Sequence, residues 1–316
     1  MARNVSQNPR ELPMITYLTH EKIDKERWDA CVAKAPNGLV YAWSWYLDTV
    51  HPGWDALVEM NGGNYLTVMP ITNKKKYFVN YLCQPFFVQQ LGIFSTNPIT
   101  TETVQTFLKA IPVKYRLVEI RLNEKNPVET SWKGIGIHRN HLLDLYRDYS
   151  SLSFGYHDNT QRNLKKTFKY DLQLVEGAPI QKVIELFRKD RGVMVKHWGD
   201  DEYARLERLT TAAITSSNAF VYGVKKSDNK DIICGALFMK SHQRITFLFS
   251  GNSKLGKEVQ AMSFLIDKVI QIYSGQPLVL DFEGSDDENL ARFYHGFGGK
   301  PVSYPSYTYH WKNPLR

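Results

Sequence analysis

Apolar and polar positions along the first half of the chain follow two periods, one typical of helices and one typical of strands. Helical spacing covers residues 23–35 and 101–111, and strand-like runs cover 54–60 and 65–71. The turn between those runs, at 61–64, reads Asn-Gly-Gly-Asn, which strongly favours a tight hairpin. The first half therefore predicts helices, an antiparallel meander, a helix and further strands.

The second half repeats this order of predicted helices and strands. Its pattern predicts helices at 180–190, 201–216, 259–273 and 287–296, and strands at 220–225, 232–239, 245–249, 278–282 and 307–311. The repetition is one of pattern and not of residue identity. It predicts the α+β class, with two similar domains, each a mainly antiparallel mixed sheet flanked by helices. We expect a flexible tail over 1–13, an N-terminal domain over 14–148 and a C-terminal domain over 149–316.

Composition fits this interpretation and limits the class of protein. A chain of 316 residues, 43% hydrophobic and 23% charged, has the size and balance of a two-domain folded protein. No apolar run approaches the eighteen or so residues of a membrane span, and the polar N-terminus lacks a signal core, so we expect a cytoplasmic protein without a transmembrane segment. Three widely spaced cysteines, Cys31, Cys83 and Cys234, indicate neither a disulfide framework nor a zinc site.

Charge suggests an anionic partner. The net charge is +8 and the pI is about 9.1, which favours nucleic acid, phosphorylated cofactors or anionic lipid. Residues 158–169 predict a helix capped by Asn159 or Thr160. Three- and four-residue steps place its cations on one face: Arg162, Lys165, Lys166 and Lys169. This face is either an anion clamp over a cleft or an ordinary solvated surface.

A second candidate for anion binding joins a strand to a helix at residues 250–258. Ser250-Gly251 and Gly256 allow the backbone to turn with its N–H groups exposed, and Lys254 and Lys257 add charge. Together with a helix N-terminus this is a candidate pyrophosphate cradle. A plain strand-to-helix turn would have the same composition, and the spacing is not that of a P-loop.

The strongest candidate for chemistry lies between residues 277 and 304. Asp281 and Glu283 end a short apolar strand, and Tyr294 follows about a dozen residues later, before Gly298 and Gly299. Two carboxylates and a phenol at one cleft supply a base and an acid. The alternative is a capping carboxylate and a core ring.

Candidate acceptor-binding residues occur in two loops. Gln84, Gln89 and Gln90 stand among aromatic residues, where amide side chains could line a polar groove or satisfy backbone groups at a sheet edge. His197 and Trp198 lie in a loop that could border the cleft. The nine histidines show no metal-binding spacing, so no metal is expected.

Three of these stretches resemble the GNAT acyltransferase superfamily, and within it the tandem Fem-like branch and the related CelD-like acetyltransferases. They are the basic segment 159–169, Ser250-Gly251 with the helix after it, and the segment from Asp281 through Tyr294 to Gly298. The usual GNAT pyrophosphate loop, Q/R-x-x-G-x-G/A, is not present, a departure shared by the Fem-like branch.

The resemblance implies two GNAT-like domains with one donor site, in the C-terminal domain, and an acceptor groove between the domains. Tyr294 is then the acid that protonates a departing thiolate, and Asp281 or Glu283 is the base. The donor would contact Ser250, Gly251, Lys254, Gly256, Lys257, Arg162 and Lys166, and the acceptor would contact Gln84, Gln89, Gln90, His197 and Trp198.

The resulting hypothesis is an acyltransferase. It would move an acyl group, acetyl as the first expectation, from acyl-CoA to an amine or hydroxyl of a small molecule or a cell-envelope precursor. Two alternatives stay open. One is a Fem-type peptidyltransferase that uses aminoacyl-tRNA, for which the basic surface is suited. The other is a non-catalytic GNAT-like binding protein.

Overall fold

The computed structural model describes residues 15–195, 198–284 and 286–311. The predicted tail at 1–13 and the candidate His197 lie outside these ranges. The fold is α+β, with one mixed and one antiparallel sheet flanked by helices, and the α+β class agrees with the sequence pattern.

The first half contains three α-helices and eight strands among its described residues. The helices are α1 (Lys25–Lys34), α2 (Ser44–Val50) and α3 (Thr101–Ala110). The strands are β1 (Ile15–Leu18), β2 (Asp55–Asn61), β3 (Asn64–Ile71), β4 (Asn73–Lys76), β5 (Val79–Cys83), β6 (Phe94–Ser95), β7 (Tyr115–Arg121) and β8 (Ile135–Asp144). Short 3-10 turns cover His20–Lys22 and Val40–Ala42.

The described part of the second half contains seven α-helices and six strands. The helices are α4 (Tyr149–Phe154), α5 (Asp158–Thr167), α6 (Ile180–Lys189), α7 (Asp200–Thr215), α8 (Lys254–Glu258), α9 (Ala261–Tyr273) and α10 (Glu288–Gly296). The strands are β9 (Leu172–Glu176), β10 (Ala219–Lys226), β11 (Cys234–Ser241), β12 (Arg244–Asn252), β13 (Val279–Asp281) and β14 (Lys300–His310). A 3-10 turn, Arg191–Met194, follows α6.

The larger sheet runs through both halves of the chain. Its ten strands have the order β4-β5-β7-β14-β8-β13-β12-β11-β10-β9, and a second sheet has the order β1-β2-β3-β6. Strand β14, the last of the described elements, lies between β7 and β8 of the first half, and β8 also pairs with β13. Only β5–β7 and β12–β13 are parallel pairs among the named strands. The halves therefore share strand pairing, and a domain boundary at 148 stays a prediction.

Local signals in the sequence explain several of these elements. Asn61 pairs with Asn64 across a turn in which Gly62 and Gly63 both have positive φ (56° and 85°), which confirms the predicted hairpin. Helix α3 begins where Thr100 accepts a hydrogen bond from the Thr103 amide and completes a capping box.

Other elements differ from the prediction. Helix α5 begins at Asp158, with His157 in the N-cap position instead of Asn159 or Thr160. The helix expected at 259–273 is preceded by a separate short helix, α8, and Gln260 between them adopts a left-handed conformation (φ 61°). The sequence pattern misses six-residue α4, which lacks a clear apolar period, and edge strand β9, in which only Leu172 and Leu174 alternate with a polar residue.

The cores are rich in aromatic rings, consistent with an aromatic content of 13%. Cys31 and Cys234 are buried and Cys83 is partly buried, and all three are free thiols. None of the described helices is both long and apolar enough to cross a bilayer. Within the same residues, no cluster of three or more His, Cys, Asp or Glu side chains is arranged to hold a metal ion.

Candidate functional site

The candidate site lies where the parallel strands β12 and β13 separate. They pair only from Arg244 with Val279 to Thr246 with Asp281. Strand β12 then continues for six residues, and β13 ends. A cavity of about 380 Å³ fills the gap. Its walls come from 247–252 of β12, from 282–284 after β13, from α10, and from the segment after α6, which contributes Asp190, Arg191 and Trp198.

A β-bulge helps to open the gap. Phe249 pairs with Leu237 and Phe247 pairs with Phe238, so Leu248 is the extra residue on β12. A bulge bends its strand and increases the local twist. Beyond Thr246, no described strand pairs with β12 on the side that faces the cavity. The peptide groups on that side are thus available to an extended ligand.

Glu283 stands at the entrance to this gap in a constrained conformation. Its φ is 50°, which is uncommon for a residue with a side chain. The hydroxyl of Tyr41, from the first half, donates a hydrogen bond to Glu283 Oε1. The pKa of Glu283 is raised to about 8, mainly by burial and in part by the nearby charge of Asp281, while the Tyr41 hydrogen bond opposes the shift. Such a carboxylate is a much stronger base than an ordinary glutamate.

Asp281 is occupied by contacts within the protein. It is only 1% exposed, and Arg244 Nη1 donates to its Oδ2 at 2.8 Å. Asn140 Nδ2 donates to Oδ1 at 2.8 Å, and the amide of Glu283 donates to the same oxygen at 3.0 Å. Arg244 Nη2 also contacts Glu124 Oε1 at 2.5 Å. Asp281 therefore fixes the backbone that carries Glu283.

Tyr294 projects from α10 into the same cavity. Its ring stacks on Phe282, with centroids 4.8 Å apart, and meets the edge of Phe247 at 6.3 Å. No hydrogen bond joins its hydroxyl to a described residue. Burial raises the pKa of the phenol, which keeps it protonated at neutral pH. Tyr294 is therefore a proton donor without a competing partner in this part of the chain.

The two glycines of the candidate phosphate loop are required by packing. A Cβ on Gly251 would lie 2.2 Å from the Val183 carbonyl oxygen, and one on Gly256 would lie 2.5 Å from the Ile233 carbonyl oxygen. Ser253 Oγ accepts a hydrogen bond from the Gly256 amide at 2.9 Å. Ser250 and Gly251 line the cavity, whereas Gly256 is buried behind it. Close packing alone therefore accounts for both glycines, in line with the interpretation of this segment as a plain strand-to-helix turn.

The cations of the site are distributed differently from the prediction. Lys257 lines the cavity but pairs with Asp190 at 2.5 Å. Lys254, Arg162 and Lys166 do not line it. Arg191 lines it, and no described carboxylate lies within ion-pair distance of Arg191. The sequence analysis missed Arg191, because an arginine just after a basic helix end has no distinguishing pattern.

The three glutamines do not line this cavity. Gln84 donates to the Val88 carbonyl at 3.1 Å and accepts from the Arg121 amide at 3.0 Å. Gln90 accepts from the Glu124 amide and donates to Gln89 Oε1, both at 2.8 Å. Two of the three therefore satisfy backbone groups, which was the alternative interpretation of this stretch.

Trp198, in contrast, lies in the cavity wall, stacked on Phe249 with centroids 6.1 Å apart. Phe86 and Phe87, from the glutamine-containing loop, pack edgewise against its ring. The loop from the first half thus reaches the site through aromatic contacts rather than through its amides.

Comparison with known proteins places the fold. No protein-family model matches the sequence, and no curated protein is similar to it by sequence. The crystal structure of FemX is similar with a TM-score of 0.63 at 11% identity, over 90% of this chain and 96% of that chain. A tandem GNAT protein from the clavulanic acid biosynthesis pathway has a TM-score of 0.52 at 10% identity, over 96% of this chain and 100% of that chain. A conserved protein of unknown function from Bacteroides thetaiotaomicron has a TM-score of 0.53 at 8% identity, over 94% of this chain and 100% of that chain.

At these identities the similarity shows the fold and nothing finer. The chain has a GNAT-like fold, similar to those of FemX and of the tandem GNAT protein. This confirms the fold that the resemblance implied and the α+β class inferred from the sequence.

Proposed function

We propose that this protein is an acyltransferase that moves an acyl group, acetyl as the first candidate, from a CoA thioester to an amine or hydroxyl. The acceptor is a small molecule or a cell-envelope precursor. The observation that carries the proposal is the gap between β12 and β13, with Glu283 and Tyr294 beside it. The tandem GNAT protein, whose structure was determined without acetyl-CoA, supports it only through the similar fold.

The gap suits the arm of an acyl-CoA. The pantetheine arm is extended and carries amide groups, so it can hydrogen-bond the free side of β12 as a short strand would. Phe247 and Leu248 supply apolar walls. Ser250, Lys257 and Arg191 lie along the cavity, where they can contact the phosphates, with Gly251 and Gly256 shaping the turn. Lys254, Arg162 and Lys166 add attraction from farther away.

Two side chains would handle the protons of transfer. The acceptor nitrogen attacks the thioester carbonyl, a C–N bond forms, and the C–S bond breaks. Glu283, as carboxylate, takes the proton that the attacking amine loses, and the Tyr294 hydroxyl gives its proton to the departing sulfur. Solvent then returns a proton from Glu283 to Tyr294. We assign Asp281 a positioning role, because its oxygens already accept three hydrogen bonds.

The Tyr294→Phe variant tests the acid. We expect kcat to fall about 10²-fold, because the thiolate then leaves without a proton, while binding is retained through the unchanged ring. Steady-state thiol release measures this effect. A thioester with a more acidic thiol should recover much of the loss. The matched control is Tyr304→Phe, a buried tyrosine outside the cavity that stacks on His138. Full turnover by Tyr294→Phe would remove the proposed role.

An aminoacyl-tRNA donor is the second candidate, and one observation favours it. The basic side chains of α5 and the lysine after it are exposed, and none forms an ion pair with a described residue: Arg162, Lys165, Lys166 and Lys169. Such a donor would bind with an affinity that falls steeply with salt, whereas an acyl-CoA in an enclosed gap depends less on salt. RNA binding without transfer would indicate the non-catalytic alternative.

A further inference from the structure

The tip of the β4–β5 hairpin carries an unusual pair of residues. Lys76 pairs with Val79, so Tyr77 and Phe78 form a two-residue turn. Both have positive φ, 46° and 64°, a conformation in which Asn-Gly is the preferred pair. Their side chains are 85% and 93% exposed. Two large apolar rings thus occupy a strained, solvent-facing position where small polar residues would be more stable, which indicates a function other than folding.

Lysines surround these rings. Lys74, Lys75 and Lys76 precede the turn, all three are exposed, and none forms an ion pair with a described residue. Lys75 Nζ lies 5.9 Å from the Phe78 ring centroid, and Lys76 Nζ lies 5.5 Å from that of Tyr77. Residues 73–81 contain no Asp or Glu. The tip is therefore a compact cationic and aromatic projection.

The neighbouring strand extends this surface. Strand β5 runs parallel to β7, with Asn80 opposite Tyr115, so the residues just before β7 lie at the same end of the sheet. Val113 is there and is 92% exposed. Lys114 and Arg116 add positive charge, and residues 111–117 contain no acid. Lys114 Nζ donates to the Tyr17 hydroxyl at 2.7 Å, and neither Lys114 nor Arg116 forms an ion pair with a described residue. The same end of two adjacent strands therefore combines exposed apolar groups with cations.

We propose that this end of the sheet docks on an anionic lipid bilayer. Tyr77 and Phe78 would enter the headgroup region, where aromatic rings are favoured, and the lysines would face anionic lipid headgroups. Lysines on edge strand β4 alone could serve to prevent sheet-to-sheet pairing, but that role does not account for the rings. Single-stranded RNA is usually stacked in a groove or on a sheet face, whereas this tip projects outward.

The docking surface lies well away from the candidate catalytic site. Asp281 and Lys300 both pair with Leu142, and β14 then runs ten residues further, to His310, at the end near Tyr115. Glu283 lies two residues beyond Asp281 in the direction of β14, so its separation from that end is roughly 25 Å along the strands. Substitutions at the tip should therefore leave catalysis unchanged, and the docking proposal stands or falls independently of the proposed function.

The test uses the full chain with vesicles of equal parts phosphatidylcholine and phosphatidylglycerol. The double variant Tyr77→Asn, Phe78→Gly removes the rings and installs the preferred turn, so loss of folding does not confound it. We expect the unmodified chain to sediment with these vesicles and the variant to bind about tenfold more weakly or worse. Lys75→Glu, Lys76→Glu should weaken binding similarly, and high salt should reduce it.

Phe154→Ser, which removes an equally exposed ring on α4, is the matched control and should bind as the unmodified chain does. Absence of vesicle binding, or equal binding by the double variant, would overturn the proposal. Binding to homopolymeric RNA that the double variant loses, without vesicle binding, would overturn it in favour of an RNA surface.

Discussion

Replacing Glu283 with Gln should lower kcat by about 10² to 10³-fold. It should also abolish the increase of kcat/KM with pH that the unmodified chain is expected to show. Glutamine keeps the size of the side chain and its carbonyl can still accept the Tyr41 hydrogen bond, but it accepts no proton from an amine. Because the pKa of Glu283 is raised to about 8, the carboxylate dominates only above that pH. Activity of the unmodified chain should therefore increase as pH rises toward 8 and then level off.

The measurement is kcat/KM against pH with an aromatic amine acceptor, which is already unprotonated across this range. Tyr41→Phe is the companion variant: loss of a hydrogen bond that lowers the pKa of Glu283 should move the profile to higher pH. An unchanged profile in Glu283→Gln would exclude this residue as the base. Stability follows the same titration: the folded state favours protonated Glu283, so this contribution is lost as pH rises through about 8.

Replacing Arg244 with Met should destabilise the fold by about 3 to 5 kcal/mol, because two buried carboxylates then lose their shared cation. Arg244 contacts Asp281 on β13 and Glu124 from the first half, and those carboxylate side chains are 1% and 4% exposed. Urea unfolding measures the loss. The control is Arg188→Met, whose pair with Asp200 is exposed and should change stability by less than about 1 kcal/mol.

Neutralising the carboxylates tests the cause of that loss. Adding Asp281→Asn and Glu124→Gln to Arg244→Met should restore part of the stability, because no buried charge then remains unpaired. An Arg244→Met variant no less stable than Arg188→Met would show that the contacts of Arg244 with Asp281 and Glu124 do not hold the two halves together.

The parts of the fold with local signals could be predicted from the sequence. The Asn61-to-Asn64 hairpin and the helix after Thr100 each depend on residues only a few positions apart. The placement of β14 between β7 and β8 depends on pairing between residues 158 to 193 positions apart, which no local period reveals. The pattern indicated two repeated halves but not that strands from both halves join in the ten-stranded sheet.

The candidate site also combines residues with local sequence signals and residues that only the fold brings together. Glu283 and Tyr294 were predicted together because a single strand-to-helix segment carries both. Tyr41 and Arg191 were missed because each reaches the site from a different part of the chain. The glutamines at 84, 89 and 90 were ambiguous, since an amide that binds substrate and one that binds backbone occur in the same sequence context.

Hydrogen–deuterium exchange with and without saturating acetyl-CoA tests the central claim most directly. The amides of 247–252 that face the gap have no strand partner among the described residues, so they should exchange quickly in the free protein. We predict that acetyl-CoA, and free CoA to a similar extent, slows exchange in 247–252 and around Glu283 and Tyr294. Unchanged exchange in these segments under saturating acetyl-CoA would contradict a CoA donor site between β12 and β13.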